Sequence, residues 1–209
     1  MDKMIKVIFK IFAYLRRRWL LSIMPIYNKL YCIANGIKFG KSFVVDSYVK
    51  LNVNKGAIVT IGDYFKMSGS FYINPLCKNK SAIAVDNGAY LKIGCNVGMS
   101  SPIIWITKGL TIGDHVDVGG GTMIFDTDAH SLYYLDRRNS KSDRLNKISK
   151  EIIIGDDVLI GANCIILKGV HIGDRAIIGA GSIVTKDIPK DCIAAGDPCR
   201  VIRQITNKM

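Results

Sequence analysis

The sequence predicts an all-β solenoid whose chain turns through three flat faces per coil, preceded by an amphipathic helix and interrupted by one protruding loop. Three observations predict it. From Ile154 every sixth residue is aliphatic: Ile154, Ile160, Ile166, Ile172, Ile178 and Val184. Two residues before each stands a second series, Ile152, Val158, Cys164, Val170, Ala176 and Ser182, and glycine follows at Gly155, Gly161, Gly173 and Gly179. A period of six fits neither the helical 3.6 nor the strand period of 2. One hexapeptide per face does fit, with the aliphatic pointing into a narrow triangular core and the glycine easing the corner.

Residues 1–35 form the first element. Lys3, Lys6, Lys10, Arg16, Arg17, Arg18 and Lys29 stand against Asp2 alone, in a chain of net charge +12. Interleaved are Ile5, Ile8, Phe9, Ile11, Phe12, Leu15, Trp19, Leu20, Ile23 and Met24. The segment is too apolar for a nucleic-acid arm and too often interrupted for a span of about 20 apolar residues. Its three arginines fall after the first apolar stretch, unlike a signal peptide. A basic amphipathic helix on an anionic membrane surface fits, as does a helix packed on the main domain, and Pro25 is expected to end or kink it.

Residues 36–205 form the second unit. The same beat appears upstream at Ile37-Phe39, Phe43-Val45, Val49-Leu51, Val59-Ile61, Phe65-Met67 and Phe71-Ile73, and again at Leu110-Ile112, Val116-Val118 and Thr122-Ile124. Between 74 and 109 the register slips, which predicts short protruding loops. About sixteen units predict about five coils. A chain of 209 residues with 49% hydrophobic and 22% charged residues is long and apolar enough for such a core. Six scattered cysteines without a CxxC pair point to reduced thiols in a cytoplasmic setting, with Cys164 a small core residue.

The stretch from Ile152 to Ile205, IIIGDDVLIGANCIILKGVHIGDRAIIGAGSIVTKDIPKDCIAAGDPCRVIRQI, resembles the hexapeptide-repeat acyltransferases. The pattern is similar to galactoside, maltose and nodulation O-acetyltransferases and to O-acetyltransferases of bacterial surface polysaccharides. That resemblance implies a left-handed parallel β-helix, a homotrimer, acetyl-CoA as co-substrate bound in clefts between neighbouring β-helices, and no metal. The basic N-terminal helix fits the polysaccharide group, and with it a cytoplasmic protein peripheral on the inner face of the membrane.

The break in the pattern is FDTDAHSLYYLDRRNSKSDRLNKISKE, residues 125–151, polar and rich in tyrosine and arginine. A solenoid admits an insertion only at a corner, and an ordered loop this long is usually functional. The resemblance implies a catalytic histidine at the base of such a loop, and His130 stands there. Imidazole titrates near neutrality, so it suits removal of a hydroxyl proton. Asp128 or Asp126 is expected to orient its ring, with Asp128 favoured. The loop residues Asp126, Tyr133, Arg137 and Arg138 are candidates to grip a carbohydrate acceptor.

By the same resemblance Gly161, Ala162 and Ala180 are expected along the pantetheine arm. Thr185, Lys186, Arg200 and Arg203 are expected at the adenosine phosphates, where arginine's fork of donors suits phosphate. Leu159 stands where many relatives carry tryptophan. His115 and His171 are expected to face solvent. Zinc carbonic anhydrases built on the same coil are disfavoured, because no two histidines lie close in sequence here. The expected activity is O-acetylation of a sugar on a cell-surface polysaccharide or lipid-linked precursor. The alternatives are a small sugar, a nucleotide-sugar amine or a xenobiotic as acceptor, or a non-catalytic scaffold.

Overall fold

A computed structural model describes residues 2–69, 74, 76 and 81–206. Its strands form three sheets, and up to Ile165–Ile166 each strand pairs in parallel with the third strand after it. The first face runs Lys38–Phe39, Ile58–Ile61, Tyr90–Ile93, Gly109–Ile112, Ile152–Ile154 and His171–Ile172. The second runs Val44–Val45, Lys66–Ser68, Gly98–Ser100, Asp117–Val118, Leu159–Ile160, Ile177–Ile178 and Cys192–Ala195, closed by the antiparallel Arg200–Gln204. The third runs Val49–Val53, Ser81–Val85, Ile103–Ile106, Met123–Phe125, Ile165–Ile166 and Ile183–Val184.

The six-residue beat is this winding. Ile112 lies beside Ile154 and Ile154 beside Ile172 on the first face. Val118, Ile160 and Ile178 align on the second face, and Ile124, Ile166 and Val184 on the third. All nine are buried. Two faces are six strands deep, one level more than the expected five or so. The extra level comes from the register-slipped stretch, where Tyr90–Ile93, Gly98–Ser100 and Ile103–Ile106 make a full turn of their own. The expected unit at Phe71-Ile73 lies outside the described residues.

Two devices hold the corners. At Gly119 a Cβ would lie 2.4 Å from the Ala162 amide nitrogen, and at Gly161 2.4 Å from that of Ala180. The coils approach so closely there that glycine is required by stacking alone. At another corner an aspartate ladder climbs the stack. Asp114 accepts from the Cys95 amide at 2.6 Å, Asp156 from the Asp114 amide at 2.8 Å, and Asp174 from the Asp156 amide at 3.0 Å. The rungs are 19, 42 and 18 residues apart. The long rung marks the coil from which the loop departs.

Helix α1 spans Asp2–Ala34 and contains Pro25, so that proline does not end it. Its last third sits on the start of the stack. Asn28 is fully buried and its amide donates to the carbonyls of Val45 at 2.9 Å and Ser47 at 2.8 Å. Cys32 is buried beside it. Cys32, Cys95, Cys164, Cys192 and Cys199 are free thiols, and Cys77 lies outside the described residues.

Gly119→Ala should force the coils apart at a backbone contact that cannot yield, at about 1–3 kcal/mol. Chemical denaturation of the variant checks this, and an unchanged midpoint would show that the corner relaxes.

Candidate active site

The loop leaves the third face after Phe125 and returns to the first face at Ile152. Its two feet are zipped together. The Lys150 amide donates to the Asp126 carbonyl at 2.9 Å, Thr127 bridges Ser149, and the Asp128 amide donates to the Ile148 carbonyl at 3.0 Å. Below the stem, the Asp126 carboxylate is fully buried and acts as a staple. It accepts from the amides of Thr107 at 2.7 Å, Lys108 at 2.6 Å and Gly109 at 2.8 Å. Asp126 is therefore unavailable to an acceptor or to His130, a correction to its expected role.

Above the stem Ala129 adopts a positive φ of 64°, and this turn throws His130 outward. The His130 side chain is 68% exposed, and its Nδ1 lies 2.7 Å from Oδ2 of Asp143. Asp143 belongs to helix α2, Ser140–Asn146, whose N-cap Asn139 accepts from the amides of Lys141 and Ser142. The other Asp143 oxygen accepts from the Ser131 amide at 2.7 Å. Those two hydrogen bonds, the His130 bond foremost, hold the Asp143 carboxyl below the ordinary carboxylate range. An ionised carboxylate only accepts, so Nδ1 carries a proton, and in the neutral ring Nε2 has the lone pair. The expected partner, Asp128, faces elsewhere and pairs with Lys168 Nζ at 2.5 Å. The orienting carboxylate comes from thirteen residues along the loop, not from the adjacent stem.

His130 and Asp143 line a cavity of about 700 Å³ whose wall includes Asn54, Asp86, Asn87, Trp105 and Arg144. Lys147 ties α2 down across this wall, with its ammonium 5.8 Å from the Trp105 ring centre and 3.9 Å from Asp86 Oδ2. Tyr133, Arg137 and Arg138 are not part of that wall. Arg137 clamps the carbonyls of Ser131 at 2.7 Å and Leu132 at 3.0 Å, and Arg138 lies over the Tyr134 ring, which Tyr133 meets edge-on. These three shape the loop itself and stand outside that cavity. No spacing rule in the sequence singled out Asp143, Trp105 or Asp86. The asparagine cap that opens NSKSD is the one local signal that could have placed Asp143 on a short helix.

A second groove, of about 520 Å³, runs along the corner between the second and third faces. Gly119, Gly120, Leu159, Gly161 and Ala162 line it, with Met99 at its floor. Ala180 occupies the same corner one coil on, where the Gly181 amide donates to the Ala162 carbonyl at 2.8 Å. Thr185 and Lys186 are exposed at the other edge of the third face, the edge that carries His130 two coils earlier. Arg200 and Arg203 are exposed on the terminal antiparallel strand. The candidate cofactor residues thus fall into three places, and those in the groove lie across a whole face from His130. His115 and His171 are exposed, and among the described residues no group of three or more His, Cys, Asp or Glu is placed to hold a metal ion.

Residues 151–186 match the family model described as the hexapeptide repeat of succinyl-transferase. Galactoside O-acetyltransferase of Escherichia coli K12 is 44% identical over 99 residues, which are 47% of this chain and 46% of that protein. Polysialic acid O-acetyltransferase of E. coli O1:K1 is 36% identical over 129 residues, 61% of this chain and 40% of that protein. The chain therefore spans less than half the length of these curated relatives. A hexapeptide-repeat acetyltransferase of Vibrio cholerae O1 biovar eltor, solved with acetyl coenzyme A, superposes with a TM-score of 0.54 at 25% identity, covering 92% of this chain and 88% of that one. In its repeat, in its local sequence and in the path of its chain, this protein resembles the hexapeptide-repeat acyltransferases.

Proposed function

We propose that this chain is an acetyl-CoA-dependent O-acetyltransferase acting on a sugar hydroxyl of a cell-surface polysaccharide or its lipid-linked precursor, with His130 as general base. The observation that carries the reading is the 2.7 Å pairing of His130 with Asp143, which fixes the tautomer and leaves Nε2 as the basic nitrogen. Nε2 takes the proton of the acceptor hydroxyl as its oxygen attacks the thioester carbonyl. The tetrahedral intermediate then expels CoA as a thiolate, and the imidazolium returns the proton to that sulfur. Trp105 offers an aromatic face for a sugar ring, and Asn54, Asn87 and Asp86 offer hydroxyl partners in the same wall. The relatives named for galactoside and polysialic acid, and the neighbour solved with acetyl coenzyme A, support sugar as acceptor and acetyl-CoA as donor.

In this reading residues 36–205 are the catalytic domain, a left-handed β-helix, and residues 1–35 are an appendage. Gly161, Ala162 and Ala180 carry the pantetheine arm, and Thr185, Lys186, Arg200 and Arg203 its phosphates. The groove and His130 occupy opposite edges of one face, so a homotrimer that sets one copy's groove beside the next copy's histidine would complete the site. The third face offers the apolar surface for that contact, with Ile103, Trp105, Met123, Phe125 and Leu167 half-exposed on it. The protein acts in the cytoplasm.

His130→Ala should lower turnover on the order of 10²–10⁴-fold with CoA affinity retained, measured by thiol release from acetyl-CoA across sugars, nucleotide sugars and surface polysaccharide. Undiminished release would remove His130 as the base. Asp143→Asn should lower kcat roughly 10- to 10³-fold and leave the acetyl-CoA KM unchanged, because its work is to position the imidazole. A rise confined to KM would contradict that. Arg203→Ala should raise the acetyl-CoA KM more than it lowers kcat, and identical kinetics would take Arg203 out of the site.

A further inference from the structure

Helix α1 shows two opposed faces. One face of its last third is bolted to the stack through Asn28 and Cys32. At 100° per residue, Ile26 and Leu30 lie about 160° round the helix from Asn28, almost diametrically opposite it. They are exposed, and so is every described member of the stripe they belong to: Ile5, Ile8, Phe12, Leu15, Ile23, Ile26, Leu30 and Ile33. Phe9 and Phe12 are 71% and 69% exposed. Except between Leu15 and Ile23 the stripe follows steps of three and four residues, and it runs about 40 Å along the helix. An exposed apolar stripe of that length does not remain in water.

Charge decides what covers it. Arg18 and Lys29 stand nearest the edge of the stripe, Lys3, Lys6 and Lys10 lie on the opposite face, all five are exposed, and after Asp2 no acidic residue occurs before Asp46. Bundling several copies of this helix would gather like charges with no acidic partner to offset them. An anionic bilayer supplies both the apolar layer and the counter-charge. No helix among the described residues is long and apolar enough to cross a membrane, so the helix would lie along the surface.

We propose that α1 is at once the cap of the β-helix and its membrane anchor, with Asn28 and Cys32 turned to the first coil and the Ile5-to-Ile33 stripe buried in the interface of an anionic bilayer. The two roles use different faces and do not compete. The inference is independent of the acetyl-transfer reading, although it suits an acceptor carried on a lipid.

The test is sedimentation of the full-length protein with vesicles of phosphatidylcholine containing about a third phosphatidylglycerol, and with vesicles of phosphatidylcholine alone. Binding to the anionic vesicles should exceed binding to the neutral ones by about tenfold and fall with salt. The double variant F9S/F12S, altered only at exposed positions, should lose about tenfold or more while keeping its circular dichroism spectrum. Equal binding to both vesicle types, or binding unchanged in the variant, would overturn the proposal. So would a wild-type protein that ignores vesicles and loses self-association, by light scattering, when the two phenylalanines are replaced, since a second copy would then be the occupant. Sedimentation contains no acetyl-CoA and so reads the anchor alone; a protein that binds vesicles here and, in a separate assay with acetyl-CoA, releases no thiol would refute the enzymatic reading alone.

Discussion

Everything in this molecule depends on how closely one coil can lie on the next. Parallel backbone hydrogen bonds join each strand to the strand one coil on, and at the corners the chains come near enough that a single methyl group at Gly119 would meet a backbone nitrogen at 2.4 Å. Such a stack tolerates no side chain between coils and no insertion within a face. The corners are the places where the chain can depart, and the whole of 126–151 departs at one of them. The aspartate ladder of Asp114, Asp156 and Asp174 ties amides along another corner, including the coil interrupted by the loop, so the interruption does not loosen the stack.

The same rigidity aims the histidine. Asp126 is held by three amides of the preceding coil, the stem above it is zipped by Thr127 and Ser149, and the turn at Ala129 follows directly. His130 is therefore positioned from below by the solenoid and from the side by Asp143 on a helix that Lys147 pins to Trp105 and Asp86. A flexible side chain is made specific by two supports that arrive from opposite directions.

The solenoid was legible in the sequence because its physics is local and repeated: one inner aliphatic per face, one small residue per corner, six residues apart. The place of His130 was legible for the same reason, as the point where the beat stops. Its partner was not. Asp128 stands two residues away and satisfies every local criterion, yet it pairs with Lys168 from a coil that follows forty residues later. Asp143 reaches the imidazole only because the loop folds its own helix back over its root, and that path is set by long-range contacts such as Lys147 with Trp105 that carry no periodicity. Asp126 misled in the opposite direction. An aspartate in a polar loop reads as a ligand group, whereas here its carboxylate is consumed by backbone amides. Pro25 reads as an end or a kink of the helix, and the helix does not end there.

The zipped stem has a consequence for how such a protein can change. Because the feet of the loop are joined at Thr127 and Ser149, the solenoid already bears the cost of bringing its ends together. Lengthening a loop whose ends are fixed costs little, about 0.6 kcal/mol for each doubling. The segment 132–142 can then be exchanged, shortened or extended, with His130 still standing on its coil and Asp143 still beside it. A scaffold built this way can carry a different loop by replacing one segment, and its core need never register the exchange.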